Sequence, residues 1–267
     1  MLNRISKFIH KSSSERSTQI KRKLRQFLLL PFALGCSYLR NIYIAYMPDS
    51  YATFGNTTVF DNLFKSFIKK NKLKNSGDIP RLWSFILNVQ KIMDENIEGD
   101  FAELGVWRGN TASILAKFAL DNNRKVYLFD TFDGFDQSDL KGIDTNKKVL
   151  FQNTSIRLVS AIIGNASEVC EFVVGKFPSS IKNKHKQTKY SIVSLDCDLY
   201  TPMKAGLKFF YPLMPKGGLF LLHDYSSLWW EGTKKAVDEF CQETGEHVIL
   251  LPDKSGSALL RKSLRDY

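Results

Sequence analysis

The sequence predicts an α/β protein built on a doubly wound, mostly parallel seven-stranded sheet with an antiparallel last strand, preceded by a helical N-terminal extension. From residue 101 onward, short apolar runs alternate with segments of helical periodicity. Only a sheet covered on both faces buries that pattern. Polar stretches, some with glycine, fall at the carboxyl ends of those runs, where open α/β sheets bind their ligands. The last two apolar runs have no helix between them, which makes them a hairpin and the final strand antiparallel.

The 267 residues suffice for one such domain plus an extension. Hydrophobic residues at 43% and charged residues at 24% exclude a wholly disordered chain. We divide the chain at 78/79. The extension, 1–78, opens with Arg4, Lys7, Lys11, Arg16, Lys21, Arg22, Lys23 and Arg25, then an apolar run from Phe27 to Cys36 interrupted by Pro31. That run falls short of the roughly 20 apolar residues needed to span a bilayer. It reads as a lid, a homodimer arm or a peripheral membrane contact, in a protein of the cytoplasm or its inner membrane surface.

In the domain, Leu82, Phe85, Ile86, Val89, Ile92 and Met93 recur at i, i+3, i+4 spacing and mark one buried helix face, ending near Asn96. Phe101 to Val106 reads as the first strand and Asn110 to Leu120 as a helix. Val126 to Phe129 is the second strand, Ser155 to Ile163 a helix and Glu171 to Val174 the third strand. Ser191 to Leu195 is the fourth, followed by a helix over Met203 to Leu213. Leu219 to Leu222 is the fifth, followed by a helix over Gly232 to Glu243. Val248 to Leu251 and Ala258 to Arg261 are the closing strands.

The formal net charge of +11 allows an anionic partner, but much of it sits in the first 25 residues. No basic stretch carries the interleaved aromatics that stack bases, so nucleic acid is not an expected partner. Cys36, Cys170, Cys197 and Cys241 form no CxxC pair and read as free thiols of a reducing compartment.

Four sequence stretches carry chemistry. Glu103 to Thr111 lies where the first strand turns into a helix, and its Gly105 and Gly109 are spaced unlike the dinucleotide GxGxxG turn. A buried acid such as Glu103 is costly unless it meets a cation, for example the amino group of an aminoacyl ligand. Asp130 ends the second strand roughly 20 residues later, where a carboxylate accepts ribose hydroxyls. Thr131, Phe132 and Gly134 are placed to shape an adenosine pocket. Finally, Asp196 and Asp198 follow the fourth strand, and His223 and Asp224 follow the fifth. Adjacent strands bring these four together, and the carboxylates repel unless a cation sits between them. Oxygen ligands favour Mg²⁺, Mn²⁺ or Ca²⁺, and the imidazole shifts preference toward Mn²⁺, Fe²⁺ or Zn²⁺. A free carboxylate or the histidine then serves as the proton acceptor. Taken singly, each acid is also explained as a helix cap or a solvated turn residue.

The motifs GDFAELGVWRGN, VYLFDTFDGF, SLDCDLYTPMKAGLKFFYPLMPKGG and HDY followed by KKAVDEF, between Ile79 and Glu243, resemble the macrocin O-methyltransferase family. The resemblance implies a Rossmann-like class I methyltransferase fold, S-adenosylmethionine as cofactor, usually Mg²⁺ with Mn²⁺ the alternative, and a sugar or glycan hydroxyl as the acceptor. It implies a cofactor-binding set of Glu103, Gly105, Trp107, Asn110, Thr111, Asp130 and Phe132. Asp196 and Asp224 take the place of metal ligands and Asp198 that of the general base. The family carries Asp-Asp where this chain has His223-Asp224, which leaves His223 as ligand or base. A nicotinamide oxidoreductase lacks its GxGxxG turn here, and a nucleic-acid methyltransferase its Asn-Pro-Pro-Tyr motif. A catalytically silent cofactor-binding scaffold and a metal-dependent hydrolase stay open.

Overall fold

The computed structural model describes residues 79–253 and 255–263. The expectations for residues 1–78 (lid, dimer arm, membrane contact) lie outside the described residues. Helix α1 spans Ile79–Asp94, and β1 (Asp100–Leu104), α2 (Asn110–Asp121) and β2 (Val126–Asp130) follow. Next come α3 (Ile156–Ile163), β3 (Cys170–Val174), α4 (Asn183–Gln187), β4 (Tyr190–Leu195) and α5 (Tyr200–Leu213). The described chain closes with β5 (Leu219–Leu222), α6 (Glu231–Thr244), β6 (Ile249–Leu250) and β7 (Ala258–Arg261).

The strands form one sheet in the order β3-β2-β1-β4-β5-β7-β6. The pairings from β3 through β5 are parallel, and β7 runs antiparallel to both β5 and β6. The predicted hairpin is therefore present, with its second strand inserted against β5. The chain reverses between β1, which has β2 on one side, and β4 on the other. That switch opens a crevice at the carboxyl ends of these strands.

Strand pleat divides the core in two. Phe101, Val126, Leu128, Ile192, Leu219 and Leu221 face α1, α2 and α3. Ala102, Leu104, Phe129, Val193, Leu195 and Phe220 face α5 and α6. The stripe read from the sequence on α1 is buried as expected, with Val89 and Ile92 almost wholly enclosed. Truncating Ile86 or Ile92 to alanine costs about 2–5 kcal/mol. Helix α5 begins at Tyr200, three residues earlier than its apolar pattern suggests, because Pro202 is tolerated in a first turn.

Helix α4 escaped the sequence reading, since Asn183–Gln187 has no apolar periodicity. It is held by His185, fully buried, whose Nδ1 accepts from the Lys182 N–H at 3.0 Å. The other ring nitrogen therefore carries the proton and donates to Glu171 at 2.9 Å. Among the described residues no helix is long and apolar enough to cross a membrane.

Candidate active site

The carboxyl ends of β1, β2, β4 and β5 surround a cavity of about 340 Å³. Gly105, Trp107, Asn110 and Thr111 line it from the first turn, Asp130 from the second, and Asp196, Asp198, His223 and Asp224 from the fourth and fifth. Trp107, Phe132, Asp198 and Asp224 all have positive φ, at 45°, 54°, 59° and 55°. One non-glycine residue with left-handed backbone thus follows each of the four strands. Such conformations cost of order 1–3 kcal/mol each and cluster where a surrounding structure holds them for function.

The glycine turn is tied from two sides. Gly105 has φ +86°, and a Cβ there would stand 2.0 Å from the Asp196 carbonyl oxygen. Its lack of a side chain lets β1 leave the sheet directly against the end of β4. Asp130 fastens the turn to β2. Its Oδ2 accepts from the Val106 and Trp107 N–H groups at 2.6 and 2.9 Å, and its Oδ1 from the Phe132 N–H at 2.6 Å. Asn153 straps the turn from outside, accepting from the Trp107 indole N–H at 2.9 Å and, through its carbonyl, from Arg108 at 3.0 Å.

Glu103 and Phe132, both expected to touch a cofactor, do not line the cavity. Pleat directs Glu103 to the α2 side of the sheet, where it is fully buried. Its Oε1 accepts from the Thr111 hydroxyl and, at 3.4 Å, from Ser194, while Oε2 has no hydrogen-bond partner. Burial pushes its carboxyl up to about 8, against the lowering pull of the Thr111 hydrogen bond. Glu103 is thus joined to the cavity through Thr111, which does line it. The Phe132 ring packs on Phe172, with centroids 5.9 Å apart.

The four chemistry-bearing side chains of β4 and β5 converge as predicted, each with one ligand-type atom within 4.8 Å of the others. His223 Nδ1 lies 2.6 Å from Asp196 Oδ1 and 2.7 Å from Asp224 Oδ2. Neither contact has hydrogen-bond geometry, and the nitrogen is buried. Two carboxylate oxygens and an imidazole nitrogen this close, without hydrogen bonds among them, are a donor set that could hold a metal ion. Without one, burial and Arg81 work to lower the imidazole's pKa, but the two carboxylates prevail and raise it to about 10. Asp196 is held well below the usual carboxylate range; burial opposes this, and His223 and Arg81 override it. Asp198 shifts the other way, raised by burial and by the charges of Asp196 and Asp224.

Several site residues carry weaker sequence signals. Arg81 Nη2 donates to Asp196 Oδ2 at 2.6 Å, and Arg81 is largely buried. Its one signal is a charge on the apolar stripe of α1, four residues before Phe85. Asp144, in the loop after β2, accepts from the Tyr200 N–H at 2.7 Å and lies where a Gly232 side chain would be. It packs between the first turns of α5 and α6, and the Thr233 hydroxyl there donates to the Asp198 carbonyl at 2.8 Å. Phe135, Phe151 and Trp230 complete the cavity wall. Nothing in the local sequence distinguishes them from other loop aromatics.

A family model described as macrocin-O-methyltransferase (TylF) matches residues 78–250. The chain belongs to the macrocin O-methyltransferase family. One relative of this family member is the 8-demethyl-8-(2,3-dimethoxy-alpha-L-rhamnosyl)-tetracenomycin-C 4'-O-methyltransferase of Streptomyces olivaceus, 24% identical over 151 residues, which are 52% of this chain and 57% of that protein. Another is the demethyldecarbamoylnovobiocin O-methyltransferase of Streptomyces niveus, 29% identical over 175 residues, 61% of this chain and 65% of that one. The matches thus span 57% and 65% of these two relatives' lengths. In fold, the macrocin-type chain is similar to the O-methyltransferase NovP (TM-score 0.64, 19% identity, 78% of this chain and 99% of that one). It is likewise similar to the calicheamicin methyltransferase CalS11 (TM-score 0.56, 19% identity, 82% and 95%). These likenesses establish the Rossmann-like methyltransferase fold.

Proposed function

We propose that this protein is an S-adenosylmethionine-dependent O-methyltransferase that methylates a hydroxyl of a sugar or glycan-type acceptor with the help of a divalent cation. One observation carries the reading: the Asp196, Asp198, His223 and Asp224 cluster opens on the same cavity as the glycine turn and Asp130. The hydrolase reading uses the cluster and leaves the turn unexplained. The silent scaffold uses the turn and leaves the cluster unexplained. The Streptomyces olivaceus relative is by its name an O-methyltransferase of a rhamnosyl compound, which supports the acceptor class.

Gly105, Trp107, Asn110 and Thr111 would hold the methionine part of the cofactor, and Asp130 its ribose. Asp196, His223 and Asp224 would hold the cation, with Mg²⁺ suited to the carboxylates and Mn²⁺ to the added imidazole. When bound, the cofactor supplies a sulfonium methyl group, and the cation lowers the pKa of an acceptor hydroxyl and orients it. The chain's own part is alignment and proton transfer. Arg81 fixes the rotamer of Asp196. Asp198 is buried within the cluster, its carboxyl raised by burial and by the charges of Asp196 and Asp224. It takes the acceptor's proton, a contribution of about 10²–10⁴-fold in rate. His223, gripped by two carboxylates, serves as a ligand rather than as the base.

A second reading is a metal-free transferase, and it too has an observation behind it. Arg81 and His223 place two cationic side chains against Asp196, and His223 also meets Asp224. Calorimetric titration with S-adenosylhomocysteine, with and without Mg²⁺ or Mn²⁺, and methyl transfer to glycosides after chelation separate the two. Cofactor binding with transfer that chelation abolishes supports the proposal. Transfer that survives chelation supports the metal-free reading, in which the cationic His223 stands where the divalent cation would be. No binding under any condition overturns both.

A further inference from the structure

We infer that Asp144 is a positioning residue for Asp198: lodged at the N-termini of α5 and α6, it holds the segment that links β4 to α5 in the strained conformation that keeps the Asp198 carboxyl in the metal cluster. This rests on the metal-assisted reading above and adds to it a residue that does not itself line the cavity.

Asp198 needs holding. Its φ of 59° is left-handed, a conformation that aspartate tolerates but that persists only where the surroundings impose it. The Leu199 N–H donates to the Cys197 carbonyl at 2.6 Å, a tight turn with Asp198 at its centre. Upstream, the Asp196 N–H donates to the Leu104 carbonyl at 2.9 Å, which fixes that end of the segment on β1. Downstream, two residues from distant parts of the chain fix the other end. Asp144 Oδ2 accepts from the Tyr200 N–H at 2.7 Å, and the Thr233 hydroxyl donates to the Asp198 carbonyl at 2.8 Å.

Asp144 bears on both downstream ties. Its two carboxylate oxygens lie 2.6 and 2.7 Å from where a Cβ on Gly232 would stand, and Gly232 directly precedes Thr233. Neither α5 nor α6 receives a capping hydrogen bond from its own N-cap side chain, Leu199 or Trp230. One distant carboxylate thus stands at the first turns of two 14-residue helices, where its charge meets the positive ends of both. Asp144 is 1% exposed and Thr233 fully enclosed, so water does not compete for either tie.

Removing the carboxylate strands the Tyr200 N–H and opens a space beside Thr233. Asp198 is then free to leave its left-handed conformation. One ligand-type atom of Asp198 lies within 4.8 Å of those of Asp196, His223 and Asp224, so its displacement alters the charge that a cation meets there.

The test uses the full chain saturated with S-adenosylhomocysteine and reads Mn²⁺ affinity by electron paramagnetic resonance, beside melting temperature and S-adenosylhomocysteine calorimetry. In Asp144→Ala, Mn²⁺ should bind about tenfold more weakly while S-adenosylhomocysteine affinity stays within about threefold. Gly232→Ala, whose methyl group displaces the carboxylate, should do the same from the opposite side. Asp144→Asn keeps an oxygen for the Tyr200 N–H and should hold Mn²⁺ affinity within about threefold of the parent. Asp198→Ala supplies the deciding background: there Asp144→Ala should change Mn²⁺ affinity by less than about twofold, because the residue acts through Asp198. A loss that persists undiminished in the Asp198→Ala background overturns the proposal. So does unchanged Mn²⁺ affinity in Asp144→Ala, whatever its melting temperature, or an equal loss of Mn²⁺ and S-adenosylhomocysteine binding. A parent chain that binds S-adenosylhomocysteine but no Mn²⁺ sinks the metal-assisted reading, and one that binds neither sinks the methyltransferase reading; this inference falls with either.

Discussion

Asp196 Oδ1 and His223 Nδ1 lie 2.6 Å apart across two adjacent parallel strands, and the contact lacks hydrogen-bond geometry. In the proposed function these two side chains help to hold the divalent cation. In Asp196→Ala, methyl transfer should fall by at least about 100-fold while S-adenosylhomocysteine affinity stays within about threefold. Activity assays and calorimetry on the same preparation decide it; equal loss of both places Asp196 in cofactor binding instead.

His223 brings the one nitrogen into an otherwise oxygen donor set. His223→Asp should therefore turn metal preference toward Mg²⁺, with Mn²⁺ affinity reduced relative to Mg²⁺ by about tenfold. Electron paramagnetic resonance of Mn²⁺, competed with Mg²⁺, reads this without reference to turnover. An unchanged competition curve shows that the imidazole does not ligate.

Asp130 holds three backbone N–H groups of two turns within 2.9 Å. Its replacement by alanine removes both the ribose acceptor and the fastening of the glycine turn. S-adenosylhomocysteine affinity should drop by about 10–100-fold, the range for charged hydrogen bonds. Unchanged affinity confines Asp130 to a structural role.

Glu103 gives a pH signature. Its carboxyl is raised by burial from 4.5 to about 8 in the folded protein, so between these values the folded state holds a proton that the unfolded state has lost. The group's stabilising contribution is complete below about pH 4.5, declines as pH rises, and is exhausted above about pH 8. Glu103→Gln cannot ionise. Melting temperatures measured from pH 5 to 9 should show the variant gaining on the parent as pH rises, with the gap levelling off above 8. Parallel curves would falsify the neutral buried acid.

Gly105→Ala tests the join between turn and metal site. The new methyl group meets the Asp196 carbonyl at 2.0 Å, on a backbone of φ +86°. A loss of about 2–4 kcal/mol in urea unfolding is expected from strain and overpacking. A protein of unchanged stability would mean that β4 yields at that point without cost.

Most of the architecture is written locally. The stripe of α1, the apolar runs of β1 to β5 and the missing helix before β7 each determined their elements, because burial of periodic apolar surface is a property of adjacent residues. The same holds for the convergence of Asp196, Asp198, His223 and Asp224, since strand ends in a parallel sheet share one edge. Tertiary structure alone decided which side chains reach the cavity. Pleat sends Glu103 beneath α2 and leaves Thr111 to face the opening, a distinction that turns on which face of the sheet each residue occupies. It alone delivered Arg81 from a helix 115 residues before Asp196, and Phe151 to Trp230 from separate loops. Such contacts depend on chain closure between distant segments, and no periodicity in a single sequence encodes that distance.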